Sequence, residues 1–217
     1  MPDPFSGALS VSGPEDPSWK AGGGSTYATA ADLHRFVRAF YGGKLLESTE
    51  PAAVFGETKV RGKRALRVSG SFPGTSAQML HLIEEDRTII VLSNNYAGVP
   101  GEIVNGIDAW LAGEAVPVPS IKLMANASDP DGRILGKYEL EGIPFPFLIE
   151  VRHGRMIANW NPVRQSALLR IGTDTWFSPF DWATLKFHFD DAGRVTSAEW
   201  IGTGRPPLKI TRIEEKK

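Results

Sequence analysis

The chain of 217 residues contains no cysteine. That removes disulfides, thiolate nucleophiles and thiolate-based zinc sites, and it leaves the redox compartment undetermined. Histidine is scarce as well: His34 falls in a helical stretch outside its apolar stripe, His81 and His188 fall in strand-like runs, and His153 precedes a glycine in a turn. Four histidines without a shared spacing give a metal little to bind, so no metal site and no cofactor are expected. An excess of one charge is missing too, with 24 basic against 25 acidic residues and a net charge of -1. Nothing in the bulk field therefore favours nucleic acid or an anionic membrane, and small or uncharged partners fit better. No window reaches the roughly 18 to 20 apolar residues of a membrane helix. Met1 to Gly7 has neither a basic n-region nor an apolar h-region, so no signal peptide is read. The chain reads as soluble and cytoplasmic as it stands, or periplasmic or secreted if a leader belongs to a missing N-terminal part.

What is present is ordinary globular material, 41% hydrophobic and 23% charged. The most informative stretch runs from Leu66 to Asn95. Loose alternation through Thr75, Ala77, Met79 and Leu82, then Glu84-Glu85-Asp86, then the apolar β-branched run Thr88 to Leu92, reads as strand, turn, strand. The uniform apolarity of the second run predicts a central strand buried on both faces. Ahead of it, Thr29-Ala30-Ala31-Asp32 resembles a capping box. Leu33, Phe36, Val37 and Phe40 then form one stripe that Gly42-Gly43 terminates, which predicts a helix over 30–41. A weaker strand is placed at Ala53 to Val60 and another at Arg64 to Ser69, and Phe5 to Ser12 could form a short one. Pro100 opens a second helix whose apolar residues are Ile103, Val104, Ile107, Trp110 and Leu111, with Trp110 expected as a main anchor on the sheet.

The Pro- and turn-rich composition from Gly113 to Arg133 marks a boundary: an α+β domain over 1–115, a linker over 116–132, and a second domain over 133–217. Short alternating segments recur in the second part, at Leu135–Leu140, Phe147–Val151, Met156–Trp160, Ala167–Ile171, Thr175–Phe177, Leu185–Phe189, Ala198–Ile201 and Leu208–Ile213. Turn chemistry separates them. They predict an all-β antiparallel, lipocalin-like barrel, since closure removes exposed edges. Its aromatic density, including Phe145, Phe147, Trp160, Trp176, Phe187 and Trp200, reads first as core and second as the lining of a small-molecule site.

Catalytic motifs are absent. No serine is followed three residues later by lysine, and neither Gly-x-Ser-x-Gly nor Tyr-x-Asn occurs. Ser93-Asn94-Asn95 matches Ser-x-Asn but ends an apolar strand. Glu84-Glu85-Asp86 and Asp190-Asp191 read as solvated turns rather than acid/base pairs, and Gly22-Gly23-Gly24 lacks the lysine of a phosphate loop. No catalytic residue is assigned.

Five short pieces stand out as a set: Gly22-Gly23-Gly24-Ser25-Thr26, Asp32-Leu33-His34-Arg35-Phe36, Gly42-Gly43-Lys44-Leu45-Leu46, Ser71-Phe72-Pro73-Gly74-Thr75-Ser76 and Val91-Leu92-Ser93-Asn94-Asn95. Taken together they resemble the β-lactamase-related serine hydrolases, the group of class C β-lactamases, penicillin-binding proteins, D-aminopeptidases and esterases. The resemblance implies the C-terminal portion of such a protein: a partial β-lactamase/transpeptidase-like antiparallel sheet with flanking helices, followed by the appended barrel. The family's nucleophile and Tyr-x-Asn motifs would lie upstream of this chain. Its third motif would fall at Val68-Ser69-Gly70, where Val68 replaces the polar residue, so Ser69, Gly70 and Ser71 are expected as a vestigial binding strand without catalysis. The same resemblance implies an uncovered sheet edge, closed by Phe5 to Ser12, by a homodimer partner, or by a missing N-terminal catalytic portion. The alternative is a small-molecule-binding or interaction module built on the aromatic-rich barrel.

Overall fold

The computed structural model describes residues 16, 24, 26–45, 57–116, 121–127, 130–161, 164–203 and 206–213. Phe5 to Ser12, Gly22-Gly23 and the start of the weak strand at Ala53 lie outside them. The first helix, α1 (Ala30–Tyr41), has the expected bounds, and its caps account for both ends. Thr29 Oγ1 accepts from the Asp32 backbone N–H, and Asp32 returns a bond to the Thr29 N–H, satisfying two amides that a helix start leaves unpaired. At the other end Gly42 N–H donates to Arg38 O, and Gly43 takes φ +69°, a conformation that favours glycine.

Four strands follow: β1 (Thr58–Val60), β2 (Lys63–Phe72), β3 (Thr75–Leu82) and β4 (Arg87–Ser93). They form one antiparallel sheet in the order β1-β2-β3-β4. Register alternation divides its side chains between two helices. Leu66 and Met79 pack with Val37 of α1 on one face. Ala65, Leu80, Leu82 and Ile89 pack with Val104 of the second helix, α2 (Val99–Leu111), on the other. The layers are therefore helix, sheet, helix.

Two expectations are corrected here. Ile89 and Val91 of β4 pack toward α2 and Ile90 toward α1, but Leu92 is exposed and β4 is an outer strand in the hydrogen-bond order. Its apolarity reports helices above and below, not strands on both sides. Trp110 is no anchor either, being 67% exposed, and Ile103, Ile107 and Leu111 are exposed with it. The inward face of α2 carries Glu102 and Asp108 instead, both buried. Asp108 Oδ2 accepts from Arg61 Nε at 3.0 Å, and Glu102 accepts from the Thr203 backbone N–H. Polar partners on neighbouring elements turned the helix, so its apolar stripe faces outward.

The second sheet comprises β5 (Gly136–Leu140), β6 (Phe147–Arg152), β7 (Arg155–Asn161), β8 (Arg164–Ala167), β9 (Leu169–Gly172), β10 (Thr175–Ser178), β11 (Ala183–Phe189), β12 (Val195–Ile201) and β13 (Leu208–Ile213). Its nine strands run β8-β7-β6-β5-β13-β12-β11-β10-β9, all antiparallel. The stretch read as one strand over 167–171 is two, because the chain bends at buried Leu168, whose N–H still donates to Met156 O. The two outermost strands are thus consecutive in sequence, and the bend between them brings the sheet close to a closed barrel. Tyr138, Phe147, Met156, Trp160, Trp176, Leu185, Phe187 and Trp200 fill its interior. Stacked and edge-on rings run through that core, Phe147 on Trp160 at 4.4 Å and Trp176 edge-on to Phe187 at 5.4 Å. Tyr138 donates its hydroxyl to Ile134 O at 2.9 Å, and burial pushes its pKa up to about 12.

Candidate functional site: a cleft between the sheet and the barrel

The residues singled out by their position in the third-motif alignment, Ser69, Gly70 and Ser71, are consecutive and exposed on β2. Across the ladder they face Gln78, Ala77 and Ser76 of β3. Beyond Ala65, β2 runs past the end of β1, which pairs only with Lys63 to Ala65. Ser69, Gly70 and Ser71 line a cleft of about 350 Å³ with Ser76, Gln78, Tyr96, Pro100 and Gly101. The barrel supplies the far wall, Arg164 and Phe180. Sequence reasoning missed those two. No local signal marks them, since they reach the cleft only because the barrel docks there.

The docking is specific. Gly98 N–H donates to Phe180 O at 2.7 Å, and a Cβ at Gly98 would sit 3.4 Å from the Asp181 backbone, a contact a side chain would tighten. Tyr96 meets Phe180 edge-on at 5.5 Å between ring centres. Behind them lies a polar cluster that holds the wall. Arg164 Nη2 and Nε donate to Asp181 Oδ1 at 2.7 and 3.1 Å, while Ser178 Oγ donates to Asp181 Oδ2 at 2.9 Å. Ser178 Oγ also lies 2.8 Å from Ser166 Oγ, which accepts from Phe180 N–H at 3.1 Å. The buried Asp181 carboxylate is thereby paired, and Arg164 Cζ lies over the Trp160 ring, 4.4 Å from its centre.

Floor and walls do not add up to a nucleophile with a base. Ser76 Oγ donates to Asn95 O at 2.6 Å, and Gln78 Nε2 donates to Val68 O at 3.0 Å. Among the described residues lining the cleft, Tyr96 and Arg164 are the titratable ones. The histidines lie elsewhere. His81 is 2% exposed beneath α1, its ring tilted against Tyr41 with centres 4.9 Å apart and Nδ1 3.0 Å from Thr88 Oγ1. Burial holds its pKa below the usual histidine range. Ser93, the serine of the Ser-x-Asn match, accepts from the Asn95 N–H in a local turn. No group of three or more metal-ligating side chains occurs among the described residues.

The barrel interior was the other candidate. Phe147, Trp160 and Trp176 point into the packed core, and Phe145 is 45% exposed. Phe145 borders an open groove of about 520 Å³ together with Glu139, Lys209 and Thr211. Those three are outward alternates of β5 and β13, so the groove lies on the outside of the barrel.

No family model matches the chain, and no curated protein does. Among solved structures it is similar to one titled "Crystal structure of SurE", at 16% identity and a TM-score of 0.33, over 72% of this chain and 36% of that one. A second is the octameric penicillin-binding protein homologue from Pyrococcus abyssi, at 13% identity and a TM-score of 0.36, over 85% of this chain and 47% of that one. The chain spans less than half the length of either protein. Agreement at this level carries neither family nor activity to this chain. The expected membership in the β-lactamase-related serine hydrolases is therefore corrected. The pieces that carried it have local structural causes: Asp32 completes a helix cap, Gly42-Gly43 ends that helix, and Pro73-Gly74 turns β2 into β3 with Gly74 at φ +82°. Such devices recur wherever helices and hairpins must start and stop.

Proposed function

We propose that the chain is a binding module without catalysis of its own, and that its ligand lies along Ser69, Gly70 and Ser71 in the cleft between sheet and barrel. The observation that carries the reading is the coincidence of a strand that runs past its neighbour β1, with Ser69, Gly70 and Ser71 exposed, and a concave site of ligand size along those residues. Main-chain amides and carbonyls along such an edge accept an extended, amide-bearing chain, which adds as a further strand. Ser69, Ser71, Ser76 and Gln78 offer hydroxyl and amide groups to its side chains, and Phe180 offers an apolar wall. In this reading the barrel takes part through its docked face, not through a lipocalin-like cavity, because aromatic side chains occupy the interior.

Ser69 provides the test. It is exposed and stands opposite Gln78 on the face of the sheet that meets Gly101 in the cleft, so Ser69→Phe leaves the fold intact while placing a large side chain there. Short extended peptides titrated into the labelled protein should shift the amide resonances of Ser69, Gly70 and Ser71, and Ser69→Phe should abolish those shifts. Shifts that persist in the variant would place the ligand elsewhere.

A further inference from the structure

The opposite edge of the same sheet carries a second open feature. β4 is paired with β3 along its whole length without a register break, and no strand pairs with its outer side among the described residues. Natural edges are usually guarded by a proline, an inward charge, a bulge or a covering element. Here Thr88 to Ser93 has no proline, no charge and no bulge, and Leu92 is 46% exposed.

The stripe on α2 lies beside this edge. At about 100° per residue, each neighbour fixes one direction around the helix. Val104 points to the sheet, Asp108 and Asn105 point toward β1 and β2 through Arg61 and Arg67, and Glu102 and Gly106 point toward Thr203. The remaining arc, on the β4 side, holds Ile103, Ile107, Trp110 and Leu111, all exposed. Strand edge and apolar stripe thus form one surface. The four exposed side chains present roughly 400 Å² of apolar area, within the size of patches that mark interaction sites.

We infer that this surface pairs with a second copy of the chain, β4 against β4 in antiparallel register about Ile90, making a continuous sheet across a two-fold axis. The sequence of β4 is self-complementary in that register. Ile90 meets Ile90, Ile89 meets Val91, Thr88 meets Leu92 and Arg87 meets Ser93, so no like charges stand opposite each other. An axis perpendicular to the sheet keeps the α1 face of one copy level with that of the other. It also brings the two α2 stripes together over the seam, where Trp110 and Ile107 of each copy are covered. The stripe supplies about half of the roughly 800 Å² per partner of a standard interface, and the strand edge with its flanks supplies the remainder.

Because the chain has no native cysteine, a single introduced thiol reports the register directly. Ile90→Cys should give a covalent dimer with a short thiol cross-linker, and Thr58→Cys on β1 at the far edge should not. In sedimentation the unmodified chain should be a concentration-dependent dimer. Trp110→Lys and Ile107→Lys, both at exposed positions, should each raise the dimer Kd about 30-fold or more while leaving thermal unfolding of the monomer unchanged. A chain that remains monomeric at about 100 μM overturns the inference, as does a dimer that Ile90→Cys does not trap. So does a different polypeptide that pairs with β4 while copies of the chain stay apart.

Discussion

The two sheets solve the problem of their edges in opposite ways. The barrel brings its outermost strands together through one bend at Leu168 and packs aromatic rings inside, whereas the four-stranded sheet leaves both flanks open among the described residues and relies on α1 and α2 for its faces. An element that closes on itself has its main-chain groups and apolar area satisfied internally. One that does not is left with surface for partners. Structural and interactive roles are accordingly expected to divide along the same line, with the barrel as the rigid support and the sheet as the responsive part.

The sharpest way to test that division is to damage each core separately. Trp176→Ala opens the filled barrel and should cost about 4 kcal/mol, and Leu80→Ala should cost about 3 kcal/mol in the sheet. Amide exchange should show each loss confined to its own sheet. Equal loss of protection in both would mean that the two halves unfold as one unit and the contrast fails. Next in size is the joint between them. Arg164→Met leaves the buried Asp181 carboxylate without its cation and should cost about 3 kcal/mol, visible as a lower urea midpoint and as lost protection of the Gly98 N–H.

Acid should separate the halves by a different route. Burial depresses the pKa of His81 in the folded state relative to about 6.5 when unfolded, so the unfolded chain binds the proton more readily. The stabilisation is complete above about pH 6.5 and declines as pH falls through the unfolded value toward the folded one. The groups around the ring are Tyr41 and the Arg38–Asp86 ion pair at 2.6 Å, with His34 also contributing to its field. Sheet amides should therefore exchange faster near pH 5 than near pH 7 while barrel amides keep their order, and His81→Gln should flatten the difference. The smallest effect belongs to α1, where Thr29→Ala removes the Oγ1 acceptor of the capping box while keeping the backbone bond to Asp32, and should cost about 1 kcal/mol, read as fraying of the first helical turn by circular dichroism.

How much of this was legible in the sequence follows the range of the forces involved. The bounds of α1 came from Thr29, Asp32 and Gly42-Gly43, all local, and the helix lies where they say. The strand at Leu208–Ile213 was equally plain from its alternation. The apolar residues of α2 were recognised correctly, but their direction depends on Arg61 and Thr203, which no helical period encodes. β4 failed for the same reason, since an apolar strand reads alike whether helices or strands cover it. The bend at Leu168 left no mark because good strand formers lie on both sides of it, and only closure requires the turn. Of the residues that line the cleft, Ser69 to Ser71 were singled out from the sequence as a vestigial strand, whereas Arg164 and Phe180 were not, because docking of the barrel alone brings them there.

The order of the barrel strands also governs when it can exist during synthesis. β13, the last strand, lies between β5, the first, and β12, with Ile213 opposite Lys137. Until residues 208–213 have cleared the ribosome the cylinder has a gap where that strand belongs, and Tyr138 and Trp200 stand on its two sides without their final neighbour. The aromatic core of this half can therefore close only once its final strand arrives, so its assembly is set by the pairing of residues 208–213 with residues 137–140, far apart in sequence.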